Sequence, residues 1–293
     1  MSTPGHPKSE SRSAQHAAPM STPGRPKCES RNTQHGGILM NTLQDKSILV
    51  TGGGTGIGAG CAAYFAAHGA RVTISGRRES RLREVADAIG PACHWVAGDV
   101  TVARDRQAML DAAIAHGGGK LDALGNNAGI THHGGLVEQD EAILMKVLQS
   151  NVAAPLLLTQ AALPALEASH GCVIFIGSVH TRLAFAGRLA YAASKGAVQN
   201  MSRVLAAELG PRKVRVNCVI PGAVATEINA AVTGQDPKEA KAFFYKLAPM
   251  HPIGRIGEPE DIAQAMDYLI NASWTTGAVI DVDGGMGLGA AKL

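Results

Sequence analysis

Short apolar runs alternate with longer segments of helical period from residue 46 to the end of the chain. A nearly continuous apolar run predicts a strand buried on both faces of a sheet, and apolar residues at every third or fourth position predict a helix. The predicted strands are Ser47–Thr51, Arg71–Ser75, His94–Ala97, Leu121–Leu124, Cys172–Gly177, Val214–Val219 and Val279–Val282. The predicted helices lie near 56–69, 79–89, 102–115, 138–168, 188–210 and 258–270. Pro155 and Pro164 are expected to kink or interrupt the fourth helix.

This alternation predicts an α/β fold, because each helix can cross one face of a parallel sheet to reach the next strand. Right-handed crossovers then give a single doubly wound Rossmann-type domain, with about seven parallel strands and helices on both faces. We assign this domain to residues 40–293. Within it, residues 226–250 are expected to form an insertion or lid above the strand ends.

Residues 1–39 have a different character. The segment MSTPGHPKSESR at the start of the chain recurs nineteen positions later as MSTPGRPKCESR. This duplicated extension is rich in Ser, Pro, Gly and His and has no apolar period, so we predict that it is disordered. It also lacks the apolar region of a secretory signal. A further hypothesis is that translation of the native protein begins at Met40.

Charge and composition argue against several functional classes. The net charge of +3 comes from residues 1–39, and the rest of the chain is neutral, so we expect no nucleic-acid partner. No apolar run reaches the eighteen or so residues of a membrane span, so we expect no membrane partner. The five scattered cysteines contain no CxxC pair, which argues against a disulfide framework and against a zinc site. We therefore predict no metal and a reducing, cytoplasmic location.

Tyr191 and Lys195 are the first candidates for chemistry. A spacing of four places both side chains on one face of a helix, where an ammonium favours the phenolate and assists proton transfer. Ser178 follows a predicted strand and is expected to face this pair. The spacing alone is also common on solvated helix faces, so its meaning depends on the rest of the chain.

A Gly-rich turn, TGGGTGIG, joins the first predicted strand to the first helix. Glycines there allow a tight turn and let the backbone approach a pyrophosphate at the helix N-terminus. The glycines at 52, 56 and 58 have the spacing GxxxGxG rather than GxGxxG. The position of the turn favours a dinucleotide site.

The GxxxGxG turn, the NNAG run at Asn126–Gly129, and Ser178 with the Tyr191/Lys195 pair together resemble the short-chain dehydrogenase/reductase family. The resemblance covers residues 45–286. Further elements agree in order, namely Asp99-Val100, Asn151, Pro221-Gly222 and the DGG run that begins at Asp283. The resemblance implies an NAD(P)-dependent oxidoreductase that interconverts a carbonyl and a secondary alcohol by hydride transfer.

The same resemblance implies a role for each motif residue. Tyr191 is the general acid/base, and Lys195 lowers its pKa and binds the nicotinamide ribose. Ser178 holds the substrate oxygen, and Asn151 anchors a water that links Lys195 to solvent. The implied cofactor-binding residues are Gly52, Thr55, Gly56, Ile57, Gly58, Arg77, Arg78, Asp99, Val100, Asn127, Gly129, Tyr191, Lys195, Pro221, Gly222, Val224 and Thr226. Asn127 also has a structural interpretation, as a hydrogen-bonding link between strands.

The end of the second predicted strand bears on the choice of cofactor. An acidic residue there would bind the adenosine 2′-hydroxyl of NAD, and none is present in Ile74–Arg78. Arg77 or Arg78 could instead pair with the 2′-phosphate of NADP. We favour NADP over NAD. The alternative is that one of these arginines only begins the following polar helix.

The substrate is the least determined part. We expect a small carbonyl or alcohol, either a sugar or polyol or a 3-oxoacyl thioester. A dinucleotide-sensing protein without catalysis is a further alternative. The residues expected near the substrate are His132, His133, His180, Arg182, Phe185, Ile228, Phe243, Phe244 and Tyr245, of which we favour His132, His180, Arg182 and Phe244. The resemblance also implies a homodimer or homotetramer that pairs the long helices.

Overall fold

The computed structural model describes residues 43–226, 236, 239, 242 and 244–289. The predicted N-terminal extension, Ile228 and Phe243 lie outside these residues, as does much of the predicted lid. The described residues form one seven-stranded parallel sheet in the order β3-β2-β1-β4-β5-β6-β7. The strands are β1 (Ser47–Thr51), β2 (Arg71–Gly76), β3 (Cys93–Ala97), β4 (Ala123–Asn126), β5 (Cys172–Ile176), β6 (Arg215–Pro221) and β7 (Val279–Val282).

Helices cover both faces of this sheet, which confirms the doubly wound α/β prediction. They are α1 (Gly56–Ala67), α2 (Glu79–Ile89), α3 (Ala103–His116), α4 (Glu141–Leu148), α5 (Ala154–Ser169), α6 (Leu189–Leu209) and α7 (Pro259–Asn271). Helices α1, α2 and α7 pack with Ile48 and Val50 on one face. Helices α3, α5 and α6 pack with Leu49 on the other. Alternate residues of β1 therefore serve two separate cores, which explains why the strand is apolar throughout.

The strand order reverses between β1 and β4. Both strands pair directly, with Ile48 opposite Ala123 and Val50 opposite Gly125. Ligands of open parallel sheets bind at such a reversal, beyond the carboxyl ends of the strands. The fold therefore brings the Gly-rich turn after β1 and the NNAG run of β4 to one edge.

The fourth predicted helix, 138–168, is divided as its prolines suggested, although by a π turn rather than a break. One π turn, Gln149–Ala153, joins α4 to α5. Pro155 follows at the start of α5, where its missing N–H costs least. Pro164 lies inside α5, and the helix continues to Ser169. The wider turn carries Asn151, and π turns are frequent at functional sites.

The continuous segment Glu141–Ser169 is long and apolar enough to cross a membrane by length and composition, with a mean hydropathy of 1.4 in its most apolar window. One third of that window is buried inside the protein. Helix α5 packs against α3, β4 and β5, so part of its apolar surface belongs to the core.

Candidate active site

A cleft opens where β1, β4, β5 and β6 end. It brings together residues predicted from five separate parts of the chain, from the Gly-rich turn to the segment after β6. Its lining residues are Ile57, Asn127, Gly129, Ile176, Gly177, Ser178, Tyr191, Lys195, Pro221, Gly222, Val224, Thr226 and Phe244. Most of the residues predicted to bind the cofactor or to act on the substrate therefore share one cleft.

The Gly-rich turn has the backbone conformation that its glycines suggest. Gly52 has φ +68° and Gly56 has φ +56°, a region that residues with a Cβ rarely adopt. Gly58 is needed for a different reason, since a Cβ there would lie 2.4 Å from the carbonyl oxygen of Gly52. The first turn of α1 is thus pressed against the loop before it, which leaves its N–H groups facing the cleft edge.

Asn127 fixes this turn to the neighbouring strand. Its Nδ2 donates to the carbonyl oxygens of Thr51 at 2.8 Å and of Gly52 at 3.3 Å. Thr51 in turn accepts hydrogen bonds from the N–H groups of Asn127 and Ala128 through its Oγ1. The structural interpretation of Asn127 as a link between strands is therefore confirmed, and the residue also lines the cleft.

Two glycines line the cleft at positions where a side chain would be crowded. A Cβ on Gly129 would lie 3.7 Å from Nζ of Lys195 and 3.2 Å from Oδ1 of Asn151. Glycine at 129 therefore keeps a side chain away from the ammonium. A Cβ on Gly222 would lie within 3.0 Å of Asp283, so the turn after β6 also has no room for a larger residue. If a nicotinamide dinucleotide binds, the Gly-rich turn would hold its pyrophosphate and Lys195 its nicotinamide ribose.

The ends of β2 and β3 carry the residues predicted at the adenosine side. Arg78 Nη2 donates to Oγ1 of Thr55 at 3.3 Å, which places this guanidinium beside the Gly-rich turn. Burial alone would raise the pKa of Asp99, but hydrogen bonds from Thr101 and the charges of Arg77 and Lys146 outweigh it and lower the pKa. Asp99 is consequently ionised at neutral pH and close to Arg77. Val100 follows it and packs against the core of α3 and α5.

Ser178 ends the turn after β5 and contacts the residues that follow it. Its Oγ lies 2.9 Å from Nδ1 of His180 and accepts a hydrogen bond from the N–H of His180 at 3.3 Å. The rings of His180 and Tyr191 meet edge to face, with centroids 5.2 Å apart. His180 therefore contacts both Ser178 and Tyr191, and its predicted contact with the substrate stays a prediction.

Tyr191 is partly buried, and this burial raises the pKa of its phenol. A hydrogen bond with Ser178 and the charge of Arg188 act in the opposite direction. The prediction assigned that lowering to Lys195. In the structure, Lys195 Nζ lies 5.7 Å from the Tyr191 ring centroid and donates to the carbonyl oxygen of Ile176 at 2.7 Å. The nearby charge that lowers the pKa of Tyr191 is that of Arg188.

Burial lowers the pKa of Lys195 itself to about 8. The side chain is 5% exposed and runs from α6 under the cleft to β5. Its carbonyl partner fixes the direction of the ammonium, since a strand end cannot move independently of the sheet. The hydrogen bond to β5 therefore holds the Lys195 ammonium in one position near the ring of Tyr191.

Asn151 connects the two loops that carry the site. Its amide accepts from the N–H of Ile130 at 2.8 Å and donates to the carbonyl of Ile130 at 2.9 Å. It also donates to Oγ of Ser194, which donates to the carbonyl of Tyr191 at 2.7 Å. Asn151 therefore ties the loop after β4 to helix α6, and its predicted role in anchoring a water stays a prediction.

The residues predicted to contact substrate have different positions. Phe244 lines the cleft. His132 lies beside Gly134, and its Nε2 is buried without a hydrogen-bond partner among the described residues. Arg182 was predicted to contact the substrate, but it is not among the residues that line the cleft. Its guanidinium instead forms an ion pair with Asp281, with Nη2 and Oδ1 3.0 Å apart.

Two functional residues were missed by the sequence analysis. Ser194 is completely buried in the hydrogen-bond chain from Asn151 to Tyr191, and its position one residue before Lys195 was the only available signal. Arg188 lies three residues before Tyr191 and its charge reaches the phenol. Arg188 precedes the first residue of α6, and its closeness to Tyr191 in the sequence was the only available signal.

Comparisons with known proteins agree with this geometry. Residues 52–287 match a family model described as enoyl-(acyl carrier protein) reductase. The 2-(S)-hydroxypropyl-CoM dehydrogenase 3 of Xanthobacter autotrophicus is 36% identical over 256 residues, which are 85% of this chain and 99% of the relative. The galactitol 2-dehydrogenase (L-tagatose-forming) of Cereibacter sphaeroides is 37% identical over 250 residues, 83% of this chain and 95% of the relative.

A solved structure gives the same result in three dimensions. The 3-ketoacyl-(acyl-carrier-protein) reductase from Brucella melitensis, complexed with NADH, superposes with a TM-score of 0.75 at 32% identity, covering 84% of this chain and 99% of that one. The family model, the relatives and the solved structure are all described as reductases or dehydrogenases. The chain belongs to the short-chain dehydrogenase/reductase family and is an NAD(P)-dependent oxidoreductase that interconverts a carbonyl and a secondary alcohol.

Proposed function

We propose that Tyr191, Ser178, Lys195 and Asn151 form the catalytic group of this oxidoreductase and that NADP is its preferred cofactor. The observation that carries the proposal is the convergence of Ser178, Tyr191 and Lys195 in the same cleft that Asn127 and Gly129 line. Phenol, hydroxyl and ammonium are the groups needed to move one proton at the oxygen of a carbonyl or a carbinol.

In the direction of reduction, a bound nicotinamide cofactor supplies the hydride that reaches the carbonyl carbon. The hydroxyl of Ser178 holds the carbonyl oxygen and stabilises the negative charge that develops there. Tyr191 donates its phenolic proton to the same oxygen, which completes the alcohol. In the direction of oxidation, Tyr191 accepts this proton.

The protonation states of Tyr191 and Lys195 suit this order of steps. Burial keeps the pKa of the Tyr191 phenol above its usual value, so the proton to be donated is present at neutral pH. The charge of Arg188 and the hydrogen bond from Ser178 oppose the rise and ease the transfer. Lys195, with a pKa of about 8, is mostly an ammonium at pH 7, and its position in the cleft suits it to hold the nicotinamide ribose.

Arginines at the end of β2 support NADP. Arg77 lies close enough to Asp99 to lower its pKa, and Arg78 bonds to Thr55 at the start of α1. Both guanidinium groups therefore flank the place where the adenosine ribose of a dinucleotide enters the fold. A 2′-phosphate there would gain charge-assisted hydrogen bonds that a 2′-hydroxyl would not.

Substrate and assembly are also part of the proposal. The relatives include a galactitol dehydrogenase and a 3-ketoacyl-(acyl-carrier-protein) reductase, which supports a polyol or a 3-oxoacyl compound as substrate. Met145, Leu157 and Val204 expose apolar surface on α4, α5 and α6, which supports a homodimer or homotetramer through these helices. The cysteines of the described residues are free, in keeping with a cytoplasmic location.

Replacement of Tyr191 by phenylalanine tests the catalytic assignment. Tyr191→Phe should lower kcat for any accepted carbonyl by at least about a thousandfold, because the proton donor is lost while the ring remains. The NADPH dissociation constant should stay within about twofold. Tyr268→Phe is the matched control, since Tyr268 lies exposed on α7, and it should have wild-type kinetics. Full activity of Tyr191→Phe would contradict the mechanism.

A further inference from the structure

Two arginines lie in the segment between β5 and α6, and they differ in their partners. Arg182 pairs with Asp281, and its Nη1 also donates to Gln199 at 2.9 Å. Arg188 donates through Nη1 to Oγ1 of Thr131 at 3.3 Å. Among the described residues, no carboxylate lies within ion-pair distance of Arg188. Only one of the two guanidinium charges is balanced within the described protein.

The backbone fixes Arg188 next to the loop that leads out of the cleft. Gly134 forms a parallel bridge with Arg188, and its N–H donates to the carbonyl of Gly187 at 3.0 Å. Thr131, the hydrogen-bond partner of Arg188, is buried and follows the cleft residue Gly129 by two positions. The guanidinium therefore belongs to a wall built from residues 129–134 and 187–191.

The groups that face Arg188 are neutral or cationic. Burial raises the pKa of Tyr191 and lowers the pKa values of His133 and His180, and the charge of Arg188 acts to lower all three. The charge of Lys195 also acts on His180, whose pKa burial and these cations lower to about 4. Arg188 is itself partly buried. A guanidinium in such a position is unfavourable for the empty protein, and an anion beside it would be strongly favoured.

We propose that Arg188, with the hydroxyl of Thr131, binds an oxyanion of the substrate, so that the enzyme acts on a ketone or secondary alcohol that carries a carboxylate or sulfonate a few bonds from the reacting carbon. This inference rests on the proposed function, because Ser178 and Tyr191 fix where the reacting oxygen lies. Arg188 is the residue before α6 and lies three positions before Tyr191, close enough for its charge to act on the phenol, so the anion would lie near the reacting carbon rather than at the far end of a long chain.

The test compares keto acids with their methyl esters, which share a carbon skeleton and a ketone and differ in charge. Acetoacetate, 4-oxopentanoate and 5-oxohexanoate place the carboxylate at increasing distance from the carbonyl. With NADPH, the wild type should show a kcat/KM at least about tenfold higher for the best acid than for its ester. Arg188→Met should reduce this ratio to about one, because any effect of the lost charge on Tyr191 lowers kcat/KM for acid and ester by the same factor and cancels in the ratio.

Arg182→Met is the matched control. It removes an arginine of the same segment whose charge is already paired with Asp281, so the ratio of acid to ester should equal that of the wild type. Arg188→Lys keeps a positive charge without the forked guanidinium and should retain part of the ratio. This variant also keeps the test decisive if Arg188→Met fails to fold.

Binding provides a readout that needs no turnover. The favoured keto acid should raise the thermal unfolding midpoint of the wild-type enzyme with oxidised NADP, which cannot reduce it, and the ester at equal concentration should raise the midpoint less. Arg188→Met should remove that difference. Equal effects of acids and esters on the wild type in both assays would overturn the inference, as would an Arg188→Met variant that keeps the wild-type ratio of acid to ester. Failure of the proposed mechanism differs, because Tyr191→Phe would then still reduce the esters.

Discussion

The two walls of the cleft are held in place by different forces. On the cofactor wall, glycines allow the backbone of β1, α1 and the NNAG run to approach within contact distance, and Asn127 fastens them together. On the substrate wall, residues 130–134 and 178–188 are held through polar side chains such as Asn151, Ser178 and Arg188. Close packing of the backbone holds the cofactor wall together, whereas hydrogen bonds and charges hold most of the substrate wall.

This difference determines what each wall can tolerate. Where backbone meets backbone, one methyl group has no space, because a strand end and a helix start cannot both move. Where side chains with charges meet, a substitution changes the preference of the site while the fold remains. We therefore expect substitutions on the cofactor wall to cost stability and binding together, and those on the substrate wall to change selectivity.

Among the substitutions that compare the two walls, the largest effect is expected at Gly58. In Gly58→Ala, the new Cβ would lie 2.4 Å from the carbonyl oxygen of Gly52 and 2.6 Å from Nδ2 of Asn127, so the turn must shift. We expect a loss of about 1–3 kcal/mol in the free energy of unfolding, as for overpacked cores. The NADPH dissociation constant should rise at least about tenfold, because displaced N–H groups no longer face a pyrophosphate. Urea unfolding and fluorescence titration measure the two effects.

Gly210→Ala is the control for this substitution. Gly210 is exposed at the end of α6, and no atom lies within 4 Å of the position a Cβ would take. Its stability and NADPH binding should stay at the wild-type level. If Gly58→Ala also bound NADPH as the wild type does, the steric account of the cofactor wall would be wrong.

A smaller effect is expected at the outer end of the cofactor wall, where charge rather than shape is involved. Arg77→Gln should weaken NADPH binding by about tenfold and leave NADH binding within about twofold, because only the 2′-phosphate depends on the guanidinium. Arg83→Gln is matched to it, since Arg83 lies on α2 and pairs with Glu79 at 2.6 Å. Equal losses for both cofactors in Arg77→Gln would mean that Arg77 supports the fold instead of reading the phosphate.

The sequence predicted the cofactor wall better than the substrate wall for the same physical reason. A close approach of two backbones needs glycine, and glycines at 52, 56, 58 and 129 are visible in the sequence without any knowledge of their partners. The partners of Arg182 and Arg188 come from distant parts of the chain. Asp281 is 99 residues from Arg182 and Thr131 is 57 residues from Arg188, so the sequence offered no means of deciding which arginine faces the cleft.

The ends of a strand, like the partners of an arginine, depend on distant parts of the chain and are hard to predict from the sequence. The fourth strand was predicted at Leu121–Leu124 and is observed at Ala123–Asn126. Leu121 is buried as predicted, but strand pairing begins only at Ala123, opposite Ile48 and Cys172. Asn126 is a polar residue that pairs with Phe175 and whose Nδ2 donates to Thr159. Hydrophobic pattern locates the buried run, whereas register with the neighbouring strands fixes its ends.

The smallest effect is expected at His180, on the substrate wall, and it decides between two roles for this residue. With a pKa of about 4, His180 is neutral at pH 7, and its Nδ1 shares one hydrogen bond with Oγ of Ser178. One such bond contributes about 0.5–1.5 kcal/mol, so His180→Leu should lower kcat about three- to tenfold. His180→Asn, which keeps a polar atom near Oγ, should recover most of this loss.

The split between kcat and KM identifies the role. A histidine that positions the Ser178 hydroxyl acts on the transition state, so His180→Leu should leave KM for the substrate unchanged. A histidine that contacts the substrate directly, as the sequence suggested, would raise KM instead. The effect should also be constant between about pH 6 and pH 9, because His180 does not titrate in that range. A rise in KM alone would mean that His180 contacts the substrate instead of positioning the Ser178 hydroxyl. The substrate wall would then bind its ligand through both His180 and Arg188.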